Sequence, residues 1–195
     1  GYALPLAWRG HSMMTICDLS FVRFPHLFNR SNALYLGAIT RLSARRASHI
    51  LTISESTRRD VITLLGVPED RVTTTYCGVD PRFHSLDAQQ VEAFRVHRGL
   101  PRDFILYLGT IEPRKNVGGL IRAYAQYRNQ VSSPVPLVLA GGRGWKDQEV
   151  FDLIQTLSLT EHVHVPGYVP SEELPLWYTA AMAFVYPSRY EEIGR

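Results

Sequence analysis

The chain has 195 residues, of which 45% are hydrophobic and 20% charged, and a formal net charge of +3. That length suits one full domain or parts of two, and the composition excludes a disordered chain. The basic excess is too small to argue for a nucleic-acid partner.

The two cysteines, Cys17 and Cys77, have no paired spacing. A Cys-x-x-Cys metal pattern is therefore absent, and two free thiols suit a reducing, cytoplasmic compartment. No run approaches the ~20 apolar residues of a membrane-spanning helix. The chain begins abruptly, with Trp8, Arg9, Gly10 and His11 ahead of the first apolar strand, and this does not read as a secretory signal.

In chain order, Met13-Met14-Thr15-Ile16-Cys17 reads as a strand and residues 32–47 as a long helix. His49-Ile50-Leu51-Thr52-Ile53 is a second strand, and Ser56 is placed to cap a helix reaching Leu65, ended by Gly66 and Pro68. Residues 72–76 form a third short strand. Residues 81–102 are polar and mixed, with Pro81 and Pro101 at their ends, and read as a connection between domains.

From there the pattern is regular. Phe104-Ile105-Leu106-Tyr107-Leu108 is a buried strand ending at Gly109. Asn116 is placed to cap a helix reaching about residue 131, with Leu120, Ile121, Tyr124 and Tyr127 on one face. Leu137-Val138-Leu139-Ala140 is the next strand, closed by Gly141-Gly142. A helix near 146–157, a strand at His162-Val163-His164-Val165, a helix capped by Ser171 and a strand at Ala183-Phe184-Val185-Tyr186 follow. Alternating strands and helices at this spacing imply right-handed crossovers and a parallel sheet. Ligands of such sheets bind beyond the carboxyl ends of the strands. The loops to watch are therefore 109–115, 141–145, 167–169 and 187–194.

In the first loop a glycine ends a buried strand, Arg114 and Lys115 follow, and a helix opens. A helix N-terminus offers N–H groups and partial positive charge, and two cations would add full charges against a diphosphate. A pair of solvated loop cations reads equally well from spacing. Gly142-x-Gly144 has only two glycines of a dinucleotide fingerprint, with Asp147 where the third belongs. Glu191 and Glu192 could accept hydrogen bonds from sugar hydroxyls or form an acidic surface loop. His162 and His164 share a strand face with no third metal ligand nearby. Cys17 reads as a small buried hydrophobe or a reactive thiol beside Asp18. Arg41, Arg45, Arg46, Arg58 and Arg59 cluster along predicted helices. They read as a solvated face or as a contact with an anionic membrane surface.

Four ordered motifs carry a resemblance. Tyr107-Leu-Gly-Thr-Ile-Glu-Pro-Arg-Lys-Asn116, Leu137-Val-Leu-Ala-Gly-Gly142, Val165-Pro-Gly-Tyr-Val-Pro170 and Phe184-Val-Tyr-Pro-Ser188 are similar to the C-terminal domain of family-four retaining glycosyltransferases. That family includes bacterial mannosyltransferases of surface polysaccharide synthesis. Thr15-Ile-Cys-Asp-Leu-Ser-Phe21, Ile53-Ser-Glu-Ser-Thr-Arg-Arg-Asp60 and Cys77-Gly-Val-Asp80 resemble its N-terminal domain and hinge.

The resemblance implies an α/β fold with two Rossmann-like domains of the GT-B type, both incomplete. Residues 1–80 would be the C-terminal part of the acceptor-side domain, 81–102 the connection, and 103–195 the N-terminal part of the donor-binding domain. It further implies retaining transfer of a hexose from a GDP- or UDP-sugar to a saccharide or lipid-linked acceptor, with no metal and no other cofactor. Mannose is the sugar that the resemblance favours.

By the same analogy Arg114 and Lys115 would hold the donor diphosphate, with Gly109 and Thr110 beside it and Gly141 and Gly142 in the next loop. Gly167, Tyr168 and Val169 would lie by the nucleobase. Glu191 would bind the donor sugar, approached by the backbone near Gly194. Cys17 and Asp18 would stand in the catalytic position of the first motif, where the family has His-Asp. Cys77 replaces the usual hinge Asn, and Glu192-Ile193-Gly194 replaces Gly-Phe-Gly. A second glutamate, the final elements and the acceptor loop would be missing, and an oligomer partner could cover the open sheet edge. A module that binds nucleotide diphosphate without turnover is the alternative.

Overall fold

The computed structural model describes residues 3–5, 7–189 and 191. The chain divides into two units, the first of residues 1–78 together with Glu191 and the second of residues 79–189. Each is a parallel sheet with helical crossovers.

In the first unit, β1 (Met13–Ile16) leads to a short α1 (Ser20–Arg23), a 3-10 turn (Pro25–Leu27) and the long α2 (Arg30–Arg46). β2 (His49–Thr52), α3 (Glu55–Leu65) and β3 (Val72–Thr74) complete it, with strand order β1-β2-β3. Ile16, Leu19, Phe21, Ile50, Val61 and Val72 form its core. Full burial of each large side chain contributes roughly 1.5–3 kcal/mol. The cap of α3 is Ser54 and not Ser56: Ser54 Oγ accepts from the Thr57 N–H at 3.1 Å, whereas Ser56 already lies inside the helix. Gly66 ends α3 at φ 68°, and its N–H returns to the Ile62 carbonyl. β3 is shorter than the apolar pattern suggests and stops at Thr74.

The second unit opens with α4 (Ala88–His97). The polar segment 81–102, expected as a connection, thus contains a helix. Asp87 caps it by accepting from Gln89 N at 2.8 Å. Phe94 is the one buried residue of α4, and its ring meets Trp177 edge-on at 5.5 Å between centroids. A helix with a single apolar anchor has almost no hydrophobic periodicity to read.

Next come β4 (Ile105–Leu108), a 3-10 turn (Pro113–Lys115), α5 (Val117–Gln130), β5 (Leu137–Ala140), α6 (Gln148–Thr156) and β6 (Val163–Gly167). A 3-10 turn (Ser171–Glu173), α7 (Leu174–Ala180) and β7 (Ala183–Phe184) follow. The strand order is β6-β5-β4-β7, all parallel. Alternation along β5 fills two cores. Leu137 and Leu139 pack with Leu120, Ile121 and Ile154, while Val138 and Ala140 pack with Phe94 and Trp177. This is why all four residues of β5 are buried. Ser171 caps nothing, because it lies within the 3-10 turn; Pro175 sits in the first turn of α7, where its missing N–H costs no hydrogen bond.

Candidate functional site

β4, β5 and β6 bring the predicted loops together at their carboxyl ends. The Gly109 N–H donates to the Ala140 carbonyl (2.9 Å), the Ile111 N–H to Gly142 (3.0 Å) and the Gly141 N–H to Gly167 (2.7 Å). Ile111 and Arg143 continue the β4–β5 pairing past the strands. Gly141 has φ 137°, and a Cβ there would lie 2.2 Å from the Gly109 carbonyl oxygen. Only glycine permits that approach. Gly109, Gly141, Gly142 and Gly167 therefore share one edge of the sheet.

The cations after β4 are held by what surrounds them. Pro113–Lys115 is a 3-10 turn, and Asn116 takes a left-handed conformation (φ 56°) before α5 starts. Asn116 does not cap α5 with its side chain; its Nδ2 instead donates to the Pro187 carbonyl at 3.2 Å. The Arg114 carbonyl accepts from the Arg189 N–H (3.1 Å) and from Ser188 Oγ (3.2 Å). These contacts tie the loop after β4 to the loop after β7.

Arg114 pairs with the Glu112 carboxylate at 3.2 Å, which offsets part of its charge. Lys115 is only 9% exposed, and its ammonium donates to the Tyr186 hydroxyl. Tyr186 stacks on Tyr107, with centroids 5.9 Å apart, and the Tyr107 hydroxyl donates to the Thr110 carbonyl at 3.0 Å. A cation buried at a sheet's carboxyl edge makes an anion there favourable, because little water shares the charge. Lys115 is thus not a solvated loop cation.

Thr110 and Tyr168 are exposed, and Tyr168 follows Gly167. The Val169 side chain belongs to the core around Trp177. Arg143, in the loop after β5, pairs with Asp147 and lies 4.5 Å over the Phe151 ring. That pairing holds the Asp147 carboxyl below its ordinary range and the Arg143 guanidinium above its own. A cavity of about 280 Å³ at the start of α5 is lined by Gly118, Arg122, Lys146, Glu149 and Arg189 among others, and Lys115 is not part of its lining.

In the first unit, Cys17 and Asp18 follow β1. The Asp18 carboxylate is buried and accepts from Ser20 N (3.1 Å) and Ser20 Oγ (2.9 Å). The Cys17 carbonyl accepts from Thr57 Oγ1 at 2.9 Å. Glu191 is partly buried, while Glu192 and Gly194 lie outside the described residues. Among the described residues no group of three or more His, Cys, Asp or Glu side chains could hold a metal, and no helix is long and apolar enough to cross a membrane.

Sequence reasoning passed over Tyr186, Glu112 and Ser188. Tyr186 had a signal: it alternates with Phe184, and the two rings stack at 5.7 Å on one face.

Two parallel sheets with helical crossovers, one of them ending in glycine loops around a buried cation, define the GT-B glycosyltransferase class of fold. Residues 90–195 match the family described as Glycosyl transferases group 1, and residues 2–83 match Glycosyltransferase Family 4. The chain belongs to the group 1 glycosyltransferases. It is 34% identical over 187 residues to O-antigen chain mannosyltransferase B of Escherichia coli, covering 94% of this chain and 48% of that protein. Among solved structures it resembles Anabaena Alr3699/HepE in complex with UDP and glucose, with a TM-score of 0.74 at 20% identity over 94% of this chain and 48% of that one. It also resembles sucrose-phosphate synthase from Thermosynechococcus elongatus, with a TM-score of 0.75 at 21% identity over 96% of this chain and 47% of that one. The chain spans about half the length of these relatives.

Proposed function

We propose that this chain is part of a retaining glycosyltransferase that moves a hexose from a nucleotide-diphosphate sugar to a saccharide or lipid-linked acceptor in polysaccharide synthesis. The observation that carries this reading is Lys115, a buried ammonium at the carboxyl edge of the sheet, in a loop tied to Ser188 and Arg189. Transfer leaves a diphosphate with growing negative charge. Lys115, with Arg114 beside it, supplies fixed positive charge where that develops, without a metal. Gly109 and Gly141 end β4 and β5 without side chains of their own, and the Gly109 carbonyl lies where a Cβ at Gly141 would sit. By the family resemblance, Glu191 would meet the donor sugar, and Cys17 and Asp18 would take the catalytic position of the first motif.

Mannose is supported by the relative named as a mannosyltransferase. The nucleotide is not decided by that name: HepE holds UDP, and GDP is the partner that the mannose reading favours. Cytoplasmic placement is part of the same proposal and rests on the two cysteines, Cys17 and Cys77, which have no paired spacing in the sequence.

The test is calorimetric titration of the chain with UDP and GDP, each with and without magnesium. Metal-independent binding of one of them supports the reading and names the nucleotide. A folded chain that binds neither would remove the donor site from these residues.

A further inference from the structure

Lys115 and Asn116 are consecutive, yet only Asn116 lines the cavity of about 280 Å³ at the start of α5. The walls of that cavity come from separate segments of the second unit: Glu112 after β4, Gly118 and Arg122 on α5, Lys146 and Glu149 around the start of α6, and Arg189 after β7.

The backbone is shaped around this space. Among the described residues three that are not glycine have a left-handed backbone, and two of them, Asn116 (φ 56°) and Lys146 (φ 58°), line it. Strained backbone of this kind collects at ligand sites. Gly118 and Gly119 stand in the first turn of α5, although glycine is a poor helix former. A Cβ at Gly118 would point among the lining side chains, 3.5 Å from Arg122 Nη1 and 4.0 Å from Leu153 Cδ2. The missing side chain leaves the cavity deeper.

The lining discriminates between ligands. Arg122, Lys146 and Arg189 only donate hydrogen bonds, and the carboxylates of Glu112 and Glu149 only accept them. A phosphate here would face two carboxylates, and an apolar ligand would leave five charged groups without partners. A neutral hexose suits both signs, because each hydroxyl donates to a carboxylate or accepts from a cation. Pro113, Val117 and Leu153 supply apolar surface for the C–H faces of a sugar ring. Trp145, 39% exposed, adds an aromatic ring beside Lys146, whose ammonium lies 5.2 Å from its centroid.

We propose that this cavity binds one hexose unit of a saccharide chain, apart from the donor site at Lys115. It adds a saccharide subsite to the glycosyltransferase reading and rests on that reading for the choice of a mannose probe.

The test is calorimetric titration of the chain with mannotriose, maltotriose and inorganic phosphate, each with and without saturating GDP or UDP. At least one trisaccharide should bind, and equally well with nucleotide present. Gly118→Leu, which fills the cavity, should abolish saccharide binding while the melting temperature and the nucleotide affinity stay unchanged. Glu149→Gln keeps the shape of the side chain and removes its charge, and should weaken saccharide binding roughly tenfold. A chain that binds nucleotide but neither trisaccharide overturns the subsite and leaves the donor reading standing. A chain that binds a trisaccharide but no nucleotide supports the subsite and counts against the donor reading. Displacement of the trisaccharide by nucleotide would put the probe in the donor site and overturn the proposal. Phosphate binding that Gly118→Leu abolishes, without saccharide binding, would assign the cavity to an anion and overturn it too. Equal saccharide affinity in the parent and both variants would place the saccharide elsewhere, with the same consequence.

Discussion

The Lys115 ammonium donates a hydrogen bond to the Tyr186 hydroxyl, joining the turn after β4 to the segment after β7. Its Nζ also lies 4.8 Å from the Tyr186 ring centroid. Burial limits the access of this ammonium to water, and a phosphate oxygen would be a stronger acceptor than the phenol. Lys115→Ala should therefore lower the affinity for nucleotide diphosphate by roughly 1.5–3 kcal/mol, the range for hydrogen bonds to charged groups. Calorimetric titration checks it, and an unchanged affinity would take Lys115 out of the site.

Gly141 and Gly142 separate folding from binding. At Gly141 a Cβ would strike the Gly109 carbonyl at 2.2 Å, at a φ of 137°. At Gly142 nothing lies within 4 Å of the added atom. Gly141→Ala should cost about 3 kcal/mol or more, through backbone strain and a clash that only moving β4 away from β5 relieves. Gly142→Ala should stay within about 0.5 kcal/mol of the parent. Urea unfolding of the two variants decides it. A folded Gly142→Ala that binds nucleotide more weakly would place Gly142 against the ligand.

The second unit was legible because β5 is buried on both faces, and four consecutive apolar residues closed by Gly141-Gly142 admit few other readings. The glycine loops could be named because parallel sheets bind ligands at one edge. Local polar geometry was less legible. Ser54 and Ser56 are both good caps, and only the position of Thr57 N chooses between them. Asn116 carries the right side chain for a cap but spends it on Pro187, 71 residues away, a contact that no local pattern contains. α4 stayed hidden because only Phe94 is buried. The Arg114–Glu112 pair was open to view two residues apart, yet charge counting alone treats such neighbours as two separate solvated groups.

Arg23 and Asp60 form the polar clasp of the first unit. The Asp60 side chain is 3% exposed and that of Arg23 50%, so the pair is half-submerged. Together with the Thr57 contact to the Cys17 carbonyl, it fixes both ends of segment 17–23 to α3. Arg23→Met should destabilise the unit by about 1–3 kcal/mol, because it takes a cationic partner from a buried carboxylate. Replacing Arg23 and Asp60 together with methionine should cost less than Arg23→Met alone, since no charge is then left buried. Equal losses in the single and double variants would mean that the carboxylate does not depend on Arg23.

Tyr124 gives the second unit a pH dependence. Its hydroxyl is 3.0 Å from the Val135 carbonyl and 3.2 Å from that of His162, and the residue is buried. Burial pushes the phenol above its ordinary value, since the phenolate would lose hydration. The folded state therefore holds the proton more tightly than the unfolded chain, where the phenol titrates near 10. The resulting stability is fully present below that unfolded value and is lost as pH rises through the folded one. Tyr124→Phe removes both the hydrogen bond and this linkage. At pH 8 the variant should be less stable by roughly 0.5–1.5 kcal/mol. Above pH 10 the parent should lose stability faster than the variant, so the gap between them narrows. Urea unfolding of both proteins from pH 8 to pH 11 measures it; a gap that stays constant would show that Tyr124 does not titrate differently in the folded and unfolded chains.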